Sequence, residues 1–122
     1  MNGQKLKGLI GLATRARQAS RGMDACRVMI RSGQCGVLLI DENAGTSTRQ
    51  KAMDLCRQHG TPAVILPAGL TEEATGRGNM VTAVKKGTFA EQILHLYKEE
   101  DGKDGQDGQG SPAAPGTTGG NR

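Results

Sequence analysis

A chain of 122 residues is long enough for one domain with a single hydrophobic core. The net charge is +4, and aromatic residues make up only 2% of the chain, which argues against stacking of unpaired bases on aromatic rings. No stretch approaches the roughly 20 apolar residues that span a bilayer, and the N-terminus lacks an apolar run of signal-peptide length, so we expect a cytoplasmic protein without a membrane contact.

The first two predicted elements are helices. Residues 4–18 carry apolar side chains at the i, i+3, i+4 and i+7 positions of a helix with one buried face, namely Leu6, Leu9, Ile10 and Ala13. Asp24 then stands where a helix N-terminus favours an acid. Helical spacing resumes in Ala25, Val28 and Met29 and stops at Gly33. This predicts a second, shorter helix that buries those three apolar residues.

A strand and a third helix follow. Residues 37–40 are an unbroken apolar run between Gly36 and Asp41, which is typical of a strand covered on both faces. Either Thr46 or Ser47 is a good N-terminal cap for the third helix, which ends at Gly60 because glycine favours the position after a helix.

The next segment combines a buried strand with a polar loop. Residues 63–66 predict a second core strand, which Pro67 ends because it has no backbone N–H to donate. Residues 68–79 are rich in glycine and polar side chains. We expect an exposed loop there, with at most one helical turn around Glu72 and Glu73.

The domain closes with a third strand and a last helix. Residues 80–84 predict the strand, and apolar positions between Phe89 and Tyr97 mark the helix. Helices and strands therefore alternate with short connections. This order predicts an α/β fold, a three-layer α/β/α sandwich.

The composition changes after residue 98. Residues 1–98 hold 14 Lys and Arg against 7 Asp and Glu, whereas residues 99–122 hold 2 against 5, with seven glycines and no large apolar side chain. Such a segment cannot bury enough surface to offset the entropy of ordering it. We predict a folded basic domain over residues 1–98 and a disordered Gly- and Asp-rich tail over residues 99–122.

Positive charge is concentrated near the N-terminus. The first 31 residues contain one acid, Asp24, against seven basic residues, namely Lys5, Lys7, Arg15, Arg17, Arg21, Arg27 and Arg31. This asymmetry favours a polyanionic partner, whose phosphates bind with release of counterions. Charge alone fits equally well a basic face that only keeps the protein in solution.

Catalytic and metal-binding patterns are sparse. His59 and His95 lie in helical segments and neither belongs to a cluster with the spacing of metal ligands, and no glycine pattern matches a phosphate-binding fingerprint. The three cysteines have no C-x-x-C spacing, so we predict reduced, buried thiols at Cys26, Cys35 and Cys56. We expect no catalytic residue, metal or cofactor.

Two acids and three arginines remain as candidates for function. Asp41 and Glu42 directly follow the best strand, where ligands of open α/β sheets collect, although acids there are usually solvated turn residues. Arg27 and Arg31 are four residues apart and share a helix face with Asp24, and Arg21 precedes the helix start. Guanidinium groups beside free backbone N–H donors suit phosphate oxygens, so these arginines favour RNA binding.

Several local motifs resemble one ribosomal-protein family, that of L-seven-Ae, L-thirty-e, S-twelve-e and Gadd, and in particular its small bacterial members. The resemblance covers residues 6–96. It rests on residues 8–17, residues 20–22, residues 37–44, residues 47–51, Gly76 with Arg77, and residues 81–84. Their order and spacing together are more specific than any single motif.

The resemblance implies a fold, a ligand and a site. The family's fold is an α/β/α sandwich with a small mixed sheet, and its best-known members bind kink-turns, sharply bent RNA helices with tandem sheared G·A pairs. The family contacts RNA through the start of the second helix and a late loop. Carried onto this chain, these positions are Gly22, Met23, Asp24, Ala25, Val28, Glu42, Asn43 and the loop over residues 67–77, which includes Pro67, Ala68, Gly76 and Arg77.

The chain departs from the family at the positions that read bases. Where RNA-binding members have an Asn-Glu pair and then a Lys, this chain has Asp24, Ala25 and Val28. Each good pair of hydrogen bonds to a base is worth about 1 to 3 kcal/mol of discrimination. We therefore expect Arg27 and Arg31 to supply affinity for phosphates without restoring discrimination between bases.

Three hypotheses follow. The first is a monomeric, non-catalytic accessory of the ribosome or of translation that binds structured RNA, either ribosomal RNA or another kinked helix, and that works within a ribonucleoprotein. The second is a receiver-like or small-ligand regulatory domain centred on Asp41. The third is a protein-interaction module that has lost RNA recognition.

Overall fold

The structure is a computed structural model that describes residues 3–76 and 78–105, with side chains described through residue 98. Nine elements follow one another along the chain: α1 (Gly3–Arg15), β1 (Ala19–Arg21), α2 (Met23–Arg31), β2 (Cys35–Asp41), α3 (Thr46–His59), β3 (Ala63–Leu66), α4 (Leu70–Thr75), β4 (Val81–Lys85) and α5 (Thr88–Gly105). None of these helices has the length and apolar composition needed to cross a bilayer.

Four strands form one mixed sheet in the order β1-β4-β2-β3. Strands β2 and β3 are parallel, whereas β4 is antiparallel to both β1 and β2. Apolar side chains alternate between the two faces of β2, because successive strand residues point in opposite directions. Leu38 and Ile40 join the core under α2 and α3, and Val37 and Leu39 join the core that contains residues of α1, α4 and α5. The predicted α/β/α sandwich with a small mixed sheet is confirmed.

The strand β1 was missing from the sequence prediction. The first helix ends at Arg15 rather than at residue 18, and Arg17 adopts a left-handed backbone with φ of 61°. The amide of Gln18 donates to the carbonyl of Ala13 at 2.8 Å, which closes this turn. Three residues then pair with β4. A strand of this length is too short to show a periodic pattern, so pairing with β4 determines it.

The buried face of α2 also differs from the prediction. Cys26, Met29 and Ile30 are buried, whereas Ala25 is exposed and 69% of Val28 is accessible to solvent. Both sets have the spacing of one helix face, so periodicity alone does not distinguish them. The amide of Gly22 donates to the carbonyl of Val81 at 2.9 Å and fixes where the helix starts against the sheet. Ala25 and Val28 consequently face solvent.

The segment after β3 also differs from the prediction. The loop predicted over residues 68–79 contains the six-residue helix α4, because Leu70 and Thr71 are buried there instead of exposed. Helix α5 continues to Gly105. The division into a folded domain and a tail at residue 98 stays a prediction. Residues 106–122 lie outside the described residues, so the disordered tail stays a prediction.

The three cysteines are reduced and buried, as predicted. All three belong to the core cluster under α2 and α3. Burial raises the pKa of Cys26 to about 12, that of Cys35 to about 11 and that of Cys56 to about 12. Their thiols therefore stay protonated at neutral pH.

Gly36 allows the close packing of β2 against the start of α5. A Cβ atom at this position would lie 2.7 Å from the Cβ of Ala90 and 2.9 Å from the Cα of Lys86. We predict that Gly36→Ala lowers the free energy of unfolding by about 1 to 3 kcal/mol through overpacking. Chemical denaturation measures this change.

Gly8→Ala is the matched control, because a Cβ atom on this exposed residue of α1 meets nothing within 4 Å. It should raise stability by about 0.5 to 1 kcal/mol, since alanine favours a helix interior more than glycine does. Equal stability of Gly36→Ala and wild type would contradict the packing assigned to Gly36.

Candidate nucleic-acid interface

The sheet brings four chain segments to one edge. Arg21 pairs with Thr82, Ile40 pairs with Val81, and Asp41 pairs with Leu66. The carboxyl ends of β1, β2 and β3 therefore meet the start of β4. We call this surface the carboxyl edge; it comprises Arg21, the first half of α2 with its N-cap (residues 22–28), the β2–α3 connection (residues 42–45), the segment over residues 67–71, and the late loop (residues 75–80).

Asp41 is the buried anchor of the carboxyl edge. Its side chain is fully buried, and both carboxylate oxygens accept hydrogen bonds. Oδ1 accepts from the amide of Asn43 at 2.8 Å, and Oδ2 accepts from the amide of Gly69 at 3.0 Å and from the hydroxyl of Thr71 at 2.6 Å. One carboxylate thus fixes the β2–α3 connection and the start of α4 relative to each other.

Hydrogen bonding keeps Asp41 ionised despite its burial. Burial on its own would raise the pKa of this carboxyl, but the bonds from Thr71, Asn43 and Gly69 outweigh it, and the pKa lies below its ordinary value of 3.8. Both oxygens are already engaged and no part of the side chain reaches solvent. Asp41 is therefore not placed to accept a phosphoryl group, which argues against a receiver-like domain.

The start of α2 presents backbone donors at the carboxyl edge. Gly22 is the N-cap, with φ of 90° and ψ of 153°, a conformation that a residue with a Cβ rarely adopts. It makes no side-chain cap hydrogen bond, so the first-turn N–H groups have no capping side chain. The exposed side chains that follow are Asp24, Ala25 and Val28. This surface combines a positive helix end with a small apolar patch.

The late loop is fixed by hydrogen bonds to one carbonyl. Arg21 Nη1 donates to the carbonyl of Thr75 at 2.8 Å, and Asn79 Nδ2 donates to the same oxygen at 3.2 Å. The amide of Gly78 donates to Glu72 Oε2 at 2.7 Å, and Gly76 has φ of 120°. These contacts place exposed Gly76 at the carboxyl edge. Arg77, predicted as a site residue, lies outside the described residues.

The β2–α3 connection contributes exposed polar side chains. Glu42 and Asn43 are exposed, and Ala44 between them and α3 is buried. Arg49 Nη2 donates to the carbonyl of Glu42 at 2.7 Å and so fixes the backbone from the α3 side. Pro67 and Ala68, exposed beside Gly69, lie across from this connection because Asp41 binds both segments.

The three predicted arginines do not gather at the start of α2. Arg21 is directed to the late loop through Thr75, and Arg27 Nη1 pairs with Asp24 Oδ1 at 3.1 Å within the first two turns of α2. Arg31 is the last residue of α2, about 12 Å along the axis from its start at 1.5 Å per residue. The structure thus brings Arg21 and Arg27 to the carboxyl edge and separates Arg31 from it.

Several residues of this arrangement were missed from sequence. Thr71, Thr75 and Asn79 fall in the segment predicted to be an exposed loop, yet Thr71 and Thr75 are buried. A helical turn was expected around Glu72 and Glu73, and a Thr pair spaced by four residues, with Leu70 before it, is the signal that would have indicated its buried face. Among the described residues, no three His, Cys, Asp or Glu side chains form a group that could hold a metal ion.

Comparison with known proteins gives two relatives that the chain matches over nearly their whole length. No protein-family model matches the chain. The chain is 29% identical over 102 residues to a Bacillus subtilis (strain 168) protein named RNA-binding protein YlxQ. The matched region covers 79% of this chain and 98% of that protein. A solved protein of unknown function from Bacillus halodurans has a TM-score of 0.71 and 26% identity, over 75% of this chain and 95% of that one.

Two more distant structures share the fold. The Giardia lamblia 15.5kD RNA binding protein has a TM-score of 0.61 and 13% identity, over 80% of this chain and 84% of that one. The Thermoplasma acidophilum Pelota protein has a TM-score of 0.57 and 13% identity, over 69% of this chain and 28% of that one. At these identities the similarity establishes the α/β/α fold only.

Asp41→Asn should destabilise the fold. The amide NH₂ of asparagine cannot accept from Gly69 or Thr71, so we predict a loss of about 1.5 to 3 kcal/mol at pH 7. Because the pKa of Asp41 is lower in the folded protein, its ionisation stabilises the fold above the unfolded value and this stabilisation is lost as pH falls through the folded pKa. Urea unfolding at pH 7 and at a series of pH values below 3.8 should therefore show that the difference in free energy of unfolding between variant and wild type narrows as the pH falls.

The control is Glu73→Gln, which removes an exposed carboxylate at 3.4 Å from Lys7 Nζ. Such a surface pair contributes at most about 1 kcal/mol. A pH-independent gap for Asp41→Asn would show that the carboxylate is not stabilised by these hydrogen bonds.

Proposed function

We propose that this chain is a member of the L-seven-Ae, L-thirty-e, S-twelve-e and Gadd family and that it binds structured RNA through the carboxyl edge without catalysing a reaction. The similarity to RNA-binding protein YlxQ over 98% of that protein supports the proposal. The fold it shares with the Giardia lamblia 15.5kD RNA binding protein is consistent with it.

One observation carries the proposal: an exposed helix start lies beside two tethered loops in a basic domain. The first-turn N–H groups of α2 and the guanidinium of Arg27 provide donors for phosphate oxygens. Glu42 and Asn43 provide polar groups for base edges or sugars. Asp41 holds both neighbouring segments fixed, so little entropy is lost there on binding.

The ligand we propose is folded RNA rather than an open single strand. Phe89 and Tyr97 are the only aromatic side chains of the chain, and both pack against the core on the α1 and α5 side of the sheet. No aromatic ring is therefore available near α2 to stack a splayed base. The carboxyl edge instead suits a bent double helix that offers phosphates and one groove.

The proposed contacts comprise the predicted residues that meet at the carboxyl edge: Arg21, Gly22, Met23, Asp24, Arg27, Glu42, Asn43, Pro67, Ala68 and Gly76, with Arg77 from the late loop. Val28 and Ala25 are apolar and exposed where the family's RNA-binding members have polar side chains. We propose that these two residues contact sugars and base edges without hydrogen bonds. Discrimination of a kink-turn from another bent helix should then be weak.

The cellular role we propose is that of a monomeric accessory to translation in the cytoplasm. The partner would be ribosomal RNA or another kinked helix within a ribonucleoprotein. The basic domain would carry the interaction, and the acidic segment after it would compete with RNA for the basic face because the two segments carry opposite charges.

Val28→Asp tests the carboxyl edge directly. The side chain is 69% exposed, so a carboxylate there should not disturb folding. It would repel phosphates beside the start of α2, and we predict at least about a tenfold loss of RNA affinity, or about 1.4 kcal/mol. Filter-binding titration with a kink-turn RNA and with a regular hairpin of equal length would measure the loss and the discrimination between the two.

Leu12→Asp is the matched control, because Leu12 is 48% exposed and lies on α1, across the sheet from α2. It adds the same charge and should leave RNA affinity unchanged. Equal affinity of Val28→Asp and wild type, or no binding of either RNA by wild type, would overturn the proposed function.

A further inference from the structure

A concave surface adjoins the carboxyl edge. It lies between α2 and α3 and has a volume of about 240 Å³. We call it the α2–α3 groove, and it is lined by Met23, Arg27, Arg31, Lys51, Asp54, Leu55 and Gln58. Two of these side chains, Met23 and Arg27, also belong to the first half of α2. The groove is therefore continuous with the proposed RNA-binding surface.

Positive charge predominates in the α2–α3 groove. Arg27, Arg31 and Lys51 contribute three cations, and Asp54 is the only acid of the lining. Asp54 Oδ1 already accepts from Arg57 Nη2 at 2.8 Å, so a fourth cation offsets its charge. The net charge of this neighbourhood stays positive.

The cations of the groove are available to a ligand. Within residues 3–76 and 78–98, neither Arg31 nor Lys51 has an ion-pair partner. Arg27 pairs with Asp24, but the carboxylate of Asp24 is fully exposed, and such surface pairs rearrange at little cost. The charges of Arg31 and Lys51 therefore remain unpaired within the described chain, and that of Arg27 is held only by a fully exposed carboxylate.

We infer that the α2–α3 groove binds the phosphodiester backbone of the same RNA, where one of its helices continues past the carboxyl edge. This inference rests on the proposed function. Arg27 and Arg31 are one helical turn apart, with Cβ atoms about 5 to 6 Å from each other, and Lys51 faces them from α3. Two planar guanidinium groups and one ammonium group suit successive phosphates along a strand.

The lining favours backbone over bases. None of the seven lining side chains is aromatic, and the apolar floor consists of Met23 and Leu55. Without a ring to stack on a base, the lining offers mainly three cations, which suit phosphates. The groove should therefore raise affinity for long helices without any preference for their sequence.

Two RNAs and the full chain test this inference. The first is a kink-turn RNA with helices of about 5 base pairs, half of a helical turn of roughly 10 base pairs. The second is the same RNA with one helix extended to about 16 base pairs, long enough to span successive grooves. Lys51→Gln should weaken binding of the long RNA roughly threefold to tenfold, and the slope of log affinity against log salt concentration should fall by about 1. Affinity for the short RNA should not change.

The controls separate this inference from the proposed function. Lys51→Arg keeps the charge and should retain wild-type affinity, and Lys98→Gln removes an exposed cation from α5 and should have no effect. Val28→Asp should weaken the binding of both RNAs. If Lys51→Gln and Arg31→Gln match wild type on the long RNA while Val28→Asp does not, the groove is not part of the interface and the function stands. If wild type binds neither RNA, both proposals fail.

Discussion

The carboxylate of Asp41 is the interaction on which the arrangement of the carboxyl edge depends. It ends the central strand β2, where it accepts hydrogen bonds from the segment after β2 and from the segment after β3. A buried charge is costly unless several donors satisfy it, so this residue forces its partners into fixed positions. The positions of the loops of the site are consequently determined by buried hydrogen bonds at the end of the sheet and not by solvent-exposed contacts.

A second set of contacts connects the late loop to the edge strand. Arg21 lies at the end of β1, and its guanidinium reaches the carbonyl that closes α4 at Thr75. Strand β1 is only three residues long, yet it determines where α2 starts and where Arg21 points. The smallest element of the sheet thus links the two parts of the proposed interface.

The fold could be predicted from sequence wherever a pattern was long enough. Helices α1 and α3 and strands β2, β3 and β4 each have an apolar run or a repeated spacing, and the sequence predicts them within a few residues. Strand β1 and helix α4 have no such pattern, because their stability comes from pairing with β4 and from burial of Leu70 and Thr71. Contacts between segments that are distant in sequence determine those two elements, and such contacts cannot be predicted from local sequence patterns.

Prediction of the site was limited by helix rotation. The segments that meet at the carboxyl edge were identified by motif and order. Helical spacing, however, put Val28 on the apolar face although the resemblance made it a contact position, and Arg31 was expected beside the helix start. Two apolar sets one residue apart have the same spacing in α2, and only packing against the sheet selects Cys26, Met29 and Ile30. Lys51 entered only as part of the motif over residues 47–51 and not as a site residue, since its proximity to Arg27 depends on how α2 and α3 pack.

The reactivity of the buried cysteines measures how often the layer formed by α2 and α3 opens. Because burial raises the pKa of all three thiols, they stay protonated at pH 7, and the thiolate is the reactive form. Maleimide or iodoacetamide therefore reaches these sulfur atoms only after α2 or α3 has separated from the sheet. The rate of alkylation follows opening of the layer that carries the proposed RNA contacts, and bound RNA that holds this layer closed would slow the reaction.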